Sequence, residues 1–268
     1  MDLITTPYWW EGGAPLPEID PTPPRRVDLA VVGGGFTGMS AALTAAEAGA
    51  EVLVLDAEEP GKGASTRNGG MIGAPHRPEL LARLETADPG EAAPLIREGV
   101  EAYAHTRALY TECGIDAGYQ QTGRIHLSYT GAHFEALKRQ VKVLNGLVDQ
   151  GVRILEREEL PQHIRTDLYF GGALFPDHGG VHPRRAHDGF LRLALDAGAR
   201  VAAPCAVEAV ARDGDGFRLT TSHGAVAARR VVFATNGYTT PAWRWLSRRI
   251  FRIPSYIVAT APLPPEVI

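Results

Sequence analysis

Residues Val27 to Asp56 confine the fold more tightly than any other part of the chain, because they read as strand, glycine turn, helix and strand and end on a single acid. The run Asp28-Leu29-Ala30-Val31-Val32 breaks at Gly33-Gly34-Gly35-Phe36-Thr37-Gly38, which sets the G-x-G-x-x-G glycines at Gly33, Gly35 and Gly38. Gly33 allows a tight turn off the strand, Gly35 presents no Cβ to a pyrophosphate, and Gly38 lets the next helix pack closely on the sheet. That helix, rich in alanine and leucine from Met39 to Ala48, aims unpaired N–H groups and a positive dipole end at the phosphates. Gly49 ends it, and Glu51-Val52-Leu53-Val54-Leu55 is the second strand. Asp56 follows about twenty residues past the glycines, where a carboxylate accepts hydrogen bonds from ribose hydroxyls. With all four parts in register the segment reads as a dinucleotide cradle. A glycine-rich structural turn in another α/β protein is the competing reading.

Other features narrow the class by exclusion. A chain of 268 residues with 44% hydrophobic content can bury one large core or two small ones. A net charge of −4 and the lack of a long basic cluster argue against nucleic acid, and Arg244, Arg248, Arg249 and Arg252 read as a solvated face. The uncharged run Leu29 to Ala46 reaches membrane-span length, but its central glycines assign it to strand, turn and helix, so no transmembrane segment is expected. Asp2 and Glu11 occupy the start, where an export signal would be basic and then apolar, so the expected location is cytoplasmic. Cys113 and Cys205 are far apart and in no metal-like spacing, which predicts two buried free thiols and no metal site.

Residues 1–26 form a proline-rich lead, expected to lie extended, with Tyr8-Trp9-Trp10 as its anchor. Packing on a domain is favoured there over ligand binding. Helical spacing runs from Pro78 to Cys113 in two segments, one carrying Leu80, Leu81 and Leu84 and the other Val100, Tyr103 and Leu109. Gly123 to Tyr129 alternates as a strand, His133 to Gln150 aligns Leu137, Val141, Leu144 and Val148 on one helical face, and Gly171 to Phe175 is again strand-like. This block reads as a second domain. Arg185 to Asp196 is then helical and ends in Ala197-Gly198-Ala199-Arg200-Val201, an echo of Ala48-Gly49-Ala50-Glu51-Val52, so a second helix-to-strand unit is expected to rejoin the first sheet. Val207–Arg212 and Phe217–Thr221 flank a hairpin signal at Asp213-Gly214-Asp215-Gly216, and Arg230 to Gly237 is a strand running into a glycine turn. The nucleotide domain is therefore expected to be discontinuous, residues 27–76 and 178–250, with residues 77–177 and 251–268 in the other domain.

Shortly after Asp56, Gly61-Lys62-Gly63-Ala64-Ser65-Thr66-Arg67-Asn68-Gly69-Gly70-Met71 concentrates backbone N–H groups and small hydroxyls where the far side of a pyrophosphate and the linker to a flavin ring need donors. A nicotinamide domain has no use for such a block there. The residues resemble the D-amino-acid-oxidase-like superfamily of FAD-dependent oxidoreductases, in its glycine oxidase and gamma-glutamylputrescine oxidase branch. The resemblance covers nearly the whole chain. It is carried by Val31-Val32-Gly33-Gly34-Gly35-Phe36-Thr37-Gly38, by Gly63-Ala64-Ser65-Thr66-Arg67-Asn68-Gly69-Gly70, by Gly180-Val181-His182-Pro183 and by Ala234-Thr235-Asn236-Gly237-Tyr238, in that order.

What the resemblance implies is an α/β fold: a Rossmann-like FAD-binding domain with a glutathione-reductase-type sheet and an inserted α+β substrate domain. FAD would be held at the pyrophosphate by Gly33, Gly35 and Gly38 with Phe36 and Thr37, and at the ribose by Asp56 with Ala57. Ser65 and Thr66 would reach phosphate, with Gly63, Ala64 and Arg67 in the same cofactor-binding loop, while Asn68, Gly69, Gly70 and Met71 would run beside the flavin ring. Val207 would meet adenine through its backbone, and Ala234, Asn236 and Gly237 would close a turn over the nucleotide. The implied substrate is an amine or amino acid whose α-hydrogen leaves as hydride to flavin N5, giving an imine that water hydrolyses. The protein's part is to desolvate the site, present a neutral amine and hold the carbon over N5, with no obligatory charged acid-base pair. Electrons would pass on to oxygen or a quinone-like acceptor.

The catalytic candidates are His76, which follows the flavin-side loop closely, and Tyr256, on the family-like segment Ser255 to Thr260. For these two, a bland histidine and a structural strand residue are the competing readings. Arg77 and Thr260 stand beside them on the same grounds, and His182 is expected to shape a turn before Pro183. Family members usually continue well beyond the point where this chain stops at Pro264-Pro265-Glu266-Val267-Ile268, so a truncated product or one half of a split enzyme, with a C-terminal partner chain, is the alternative expectation. A nicotinamide-dependent reductase and a flavin-free remnant acting through an exposed strand edge are the remaining readings.

Overall fold

The computed structural model describes residues 4–11, 15–74, 82–83, 89–241 and 243–264. In chain order the main elements are β1 (Arg26–Val32), α1 (Phe36–Glu47), β2 (Val52–Leu55), β3 (Met71–Ile72), α2 (Pro89–Thr111), β4 (Arg124–Ser128), α3 (Gly131–Leu147) and β5 (Arg153–Glu156). They continue with β6 (Gly171–Phe175), β7 (Gly179–Gly180), α4 (Pro183–Asp196), β8 (Arg200–Ala202), β9 (Val207–Asp213), β10 (Gly216–Thr221), β11 (Gly224–Phe233) and a single turn, α5 (Arg244–Ser247). Two compact units result, Met1–Gly69 with His182–Ile268, and Gly70–Val181. Residues 70–74 and 178–181 thus lie with the second unit, and residues 251–264 lie with the first.

The first unit is built on a six-stranded sheet of order β8-β2-β1-β11-β10-β9. The four strands from β8 to β11 run parallel, and β10 and β9 extend the sheet antiparallel. Parallel strands are covered on both faces, so they read as continuous apolar runs. All four residues of β2 are buried, and Ala30, Val31 and Val32 of β1 are buried with them. Leu53 and Leu55 join Val27, Leu219 and Val226 in one core cluster, each large apolar side chain contributing about 1.5–3 kcal/mol. The expected echo is present in atomic detail. α1 and α4 end on the same pair of hydrogen bonds: Gly49 to Ala46 O (2.8 Å) and Ala50 to Ala45 O (3.1 Å), then Gly198 to Leu195 O (2.9 Å) and Ala199 to Ala194 O (2.9 Å). Both glycines have positive φ, +82° and +95°, as this helix end requires. Each helix then feeds a strand, and β8 pairs parallel with β2.

The second unit has a three-stranded antiparallel sheet, order β4-β6-β5, packed with α2 and α3. Thr130 caps α3, its hydroxyl accepting from His133 N–H at 3.1 Å, and Phe134, Leu137, Val141 and Leu144 bury one face of that helix. Two-residue strands β3 and β7 pair antiparallel within this unit.

Several expectations need correction. Cys205 is buried in the first core, but Cys113 is exposed, because it falls two residues past the end of α2 and so has no helical face to carry it inward. The segment Ser255 to Thr260 is exposed and forms no strand, since it pairs with none of the described strands. Val100, Tyr103 and Leu109 lie on helix α2, as expected, while Leu80, Leu81 and Leu84 lie outside the described residues. Among the described residues no helix is long and apolar enough to cross a membrane.

Candidate functional site

The glycine turn is pinned from three sides within the first unit. Gly33 N–H donates to Leu55 O at 2.8 Å, and Ala234 N–H donates to Val32 O at 2.8 Å, so the turn leaves β1 between the ends of β2 and β11. Gly33 has φ +105°, and a Cβ there would lie 2.7 Å from Ala234 O. A Cβ on Gly38 would fall on the Gly33 carbonyl oxygen, which is how α1 rests on the turn it follows. A Cβ on Gly35 would lie 2.8 Å from Ser65 Oγ. Gly33 and Gly38 are thus required by backbone contact, while a Cβ on Gly35 would press on the Ser65 hydroxyl.

Asp56 closes the turn from the end of β2. Its Oδ2 accepts from Gly34 N–H at 2.7 Å and its Oδ1 from Glu58 N–H at 3.0 Å. Its backbone is held as well, Asp56 N–H to Ala202 O at 3.1 Å and Cys205 N–H to Asp56 O at 2.6 Å. Burial raises its pKa above the ordinary aspartate range, and the two backbone donors pull in the opposite direction. Directly after it, Ala57, Glu58, Glu59 and Pro60 begin one wall of an open groove of about 900 Å³, with Trp10, Leu16 and Arg184 on its other sides. Arg184 is fixed there by Asp188 (2.9 and 3.0 Å) and Glu59 (2.7 Å).

The loop after Asp56 meets the helix N-terminus. Gly35 is the N-cap of α1 and brings no side chain to it; instead Phe36 N–H donates to Ser65 Oγ at 3.0 Å. An acceptor placed there occupies the position an anion oxygen takes at a helix start. A hydroxyl that accepts keeps its own proton, so Ser65 can donate onward. The loop is self-braced: Thr66 Oγ1 donates to Gly61 O (2.8 Å), Arg67 Nε to Lys62 O (2.8 Å), and Asn68 Nδ2 to Ser65 O (2.9 Å). Tyr238 packs against Gly63, where a Cβ would stand 3.0 Å from its ring.

Two groups in this site were not legible as functional. His187 is fully buried, and its Nε2 lies 2.7 Å from the Gly34 carbonyl oxygen. The carbonyl can only accept, which assigns the proton to Nε2. Gly34 is therefore held at its N–H by Asp56 and at its C=O by His187. A trans peptide points the Gly35 N–H away from that carbonyl, so His187 sets the direction of a backbone donor. The available signal was helical spacing, since His187, Phe190, Leu191 and Ala194 share one buried face of α4. His187→Leu leaves the buried Gly34 carbonyl without its donor and is expected to cost about 1–3 kcal/mol, with part recovered in His187→Gln. Urea unfolding of the three proteins measures it, and equal midpoints would refute the role. The other group is Trp9 with Trp10, expected to pack on a domain: Trp9 Nε1 donates to Asn68 O (2.7 Å) and Trp10 Nε1 to Thr66 Oγ1 (2.8 Å).

Of the residues singled out from sequence, Gly33, Gly35, Phe36, Gly38, Asp56 and Ser65 converge on this turn, and Ala234 touches it. Thr37 follows on the first turn of α1, and Asn236, at φ 46°, starts the short turn that includes Gly237. Val207 opens β9, with its side chain against the core cluster. Gly70 and Met71 belong to the second unit, Met71 exposed on β3. Tyr256 is 86% exposed, apart from the turn, and His76 with Arg77 lies outside the described residues. His182 is the N-cap of α4, its Nδ1 accepting from Arg185 N–H at 3.3 Å, with Pro183 at the first helical position.

Comparison with known proteins gives a consistent result. The family model described as DAO, FAD dependent oxidoreductase, matches residues 28–268. The chain is 27% identical over 258 residues to the probable oxidoreductase OrdL of Rhizobium meliloti (strain 1021), covering 95% of this chain and 60% of the relative. It is 28% identical over 221 residues to the gamma-glutamylputrescine oxidoreductase of Escherichia coli (strain K12), covering 79% of this chain and 49% of the relative. The crystal structure of glycine oxidase from Geobacillus kaustophilus superimposes with a TM-score of 0.65 at 25% identity, covering 80% of this chain and 56% of that one. The chain thus spans about half to 60% of the length of these relatives.

Proposed function

We propose, from the premise that this chain belongs to the DAO family of FAD dependent oxidoreductases, that it binds FAD in the cradle of its first unit and serves an oxidation of the C–H bond beside the nitrogen of an amine or amino acid. The observation that carries this reading is the turn from Gly33 to Gly38, with no room for a Cβ at Gly33 or Gly38 and tied to Asp56 through the Gly34 N–H at 2.7 Å. A dinucleotide fits these residues. The start of α1 and the Ser65 hydroxyl favour its pyrophosphate, and the Asp56 carboxylate, still able to accept beyond its two backbone donors, suits a ribose hydroxyl. Thr66, Arg67, Asn68 and Gly69 continue the same loop.

When bound, the flavin supplies the two-electron acceptor that turns a substrate C–N single bond into an imine, which water then hydrolyses. The chain's own residues bind and orient: His187 and Asp56 fix the Gly34 peptide, and Ser65 holds its proton toward a phosphate oxygen. The substrate class rests on two relatives named for glycine and for gamma-glutamylputrescine. His76 and Tyr256 remain the proposed catalytic candidates, with oxygen or a quinone-like compound as electron acceptor.

The test is the visible absorbance of the purified chain, with heat release and identification of the cofactor. Released FAD near one equivalent per chain is expected, and it leads to an amine and amino-acid screen with peroxide detection. A colourless protein that takes up no added FAD would overturn the reading. A second reading, that turnover needs a further polypeptide segment or partner chain, is favoured by Phe251, Ile253, Tyr256 and Val258, which stand 92%, 88%, 86% and 85% exposed along one extended segment. Bound FAD without turnover, restored by adding such a segment or partner chain, would support it; turnover by this chain alone would exclude it.

A further inference from the structure

We propose that Trp9 and Trp10 are positioning residues for the cofactor site, their indole N–H groups holding the loop from Gly61 to Asn68 in the shape that presents Ser65 to the start of α1. The inference rests on the FAD reading above.

The loop carries one three-residue 3₁₀ turn, Ala64–Thr66, and its internal hydrogen bonds tie it only to itself. It reaches α1 through the hydrogen bond from Phe36 N–H to Ser65 Oγ at 3.0 Å. Tyr238 packs on Gly63 and the His187 ring lies against Gly61, and the 3₁₀ turn Tyr8–Trp10, more than fifty positions earlier in the chain, adds hydrogen bonds to the loop from outside. Trp10 Nε1 donates to Thr66 Oγ1 at 2.8 Å, and that fully buried hydroxyl donates on to Gly61 O at 2.8 Å. Trp9 Nε1 donates to Asn68 O at 2.7 Å, at the far end of the loop. The Arg67 guanidinium stands 4.7 Å over the Trp10 ring, a cation–π contact that closes the middle.

Directed bonds distinguish this from ordinary packing. None of Tyr8, Trp9 and Trp10 is buried, so the turn adds little to the core. Its two indole donors nonetheless meet acceptors at two separate points of one loop. The same segment continues into the groove wall, where Thr6, Trp10 and Leu16 face Ala57 and Pro60. One short piece of chain therefore braces the phosphate side of the cradle and borders the groove that opens after Asp56.

The test uses the full chain and Phe variants, which keep the aromatic ring and remove the donor. Trp9→Phe and Trp10→Phe are each expected to weaken FAD binding by about fivefold, read by quenching of flavin fluorescence. Thr66→Val should lose at least as much as Trp10→Phe, since it also removes the bond to Gly61 O, and Trp10→Phe with Thr66→Val should be no weaker than Thr66→Val alone, because the Trp10–Thr66 bond is already gone. Thr66→Ser, which keeps the hydroxyl, should restore binding. In the FAD-free protein, amides of residues 61–68 should exchange faster in the Trp9→Phe/Trp10→Phe protein, with the global unfolding midpoint unchanged. Unchanged loop exchange, or unchanged FAD affinity in that protein, would overturn the proposal. So would a loss of affinity matched by a fall in the global midpoint. Failure of the unsubstituted chain to take up FAD would instead refute the cofactor reading, and the loop exchange would still decide whether the clamp exists.

Discussion

Replacing Gly38 with alanine is expected to cost about 3 kcal/mol or more, because the new Cβ falls on the carbonyl oxygen of Gly33 and neither partner is the movable end of a side chain. Relief requires lifting α1 off the turn, which also breaks the stacking of Gly33 under Ala234. A domain stable by only about 5–15 kcal/mol loses much of its margin, so a poor yield of folded protein and a clearly lowered urea midpoint are the expected results. Gly49→Ala is the control. Its φ of +82° makes alanine strained, but nothing lies within 4 Å of the added atom, and the loss should stay at about 1–2 kcal/mol. Equal midpoints for the two variants would mean that α1 does not rest on the turn as described.

Asp56→Ala is expected to weaken FAD binding about tenfold to a hundredfold, the range for hydrogen bonds to a charged acceptor. The loss includes the ribose contact and the freed Gly34 N–H, which Oδ2 holds at 2.7 Å. Asp56 also gives the site a pH signature of determinate sign. Burial raises its pKa, so its contribution to the stability of the FAD-free protein is present in acid and is lost as pH rises through the raised value. FAD affinity should run the other way. It should fall as pH drops through the same value, because a protonated carboxyl is a poorer acceptor for ribose hydroxyls. Fluorescence titrations and urea melts over the acid range measure both, and Asp56→Asn should flatten both trends. Parallel trends in affinity and stability would show that another group controls them.

What could be read from the sequence was whatever is written locally. The glycine spacing from Gly33 to Gly38, the apolar run of β2 and the repeated Ala-Gly-Ala after α1 and α4 each depend on near neighbours, and the structure realises all three. The hairpin at Gly214 belongs with them, since its turn chemistry sits between two alternating runs. The contacts that complete the site depend on distant partners. His187 reaches Gly34 across 153 positions, and Trp9 reaches Asn68 across 59, so neither has a signature within a window of ten residues. The segment Ser255 to Thr260 shows the converse. Its composition favours a strand, but β structure requires a pairing partner and the segment pairs with none of the described strands, so there the pattern alone misleads.

The order of strands in the first sheet has a consequence for synthesis. β1 and β2 emerge early and pair with each other, yet their outer neighbours β11 and β8 are encoded after the whole of the second unit. At about 5–20 residues per second, the gap between Leu55 and Phe233 takes on the order of ten seconds or more to translate. Until β8 emerges the nascent chain carries two apolar strands with both flanks bare, and until β11 follows Gly33 lacks the Ala234 carbonyl it will lie against. The second unit, whose strands and helices are contiguous in the chain, can fold while the first waits. Loading with the nucleotide is therefore a late event, confined to the time after β11 has left the ribosome. Until then the bare edges of β1 and β2 are the part of the molecule most in need of a chaperone.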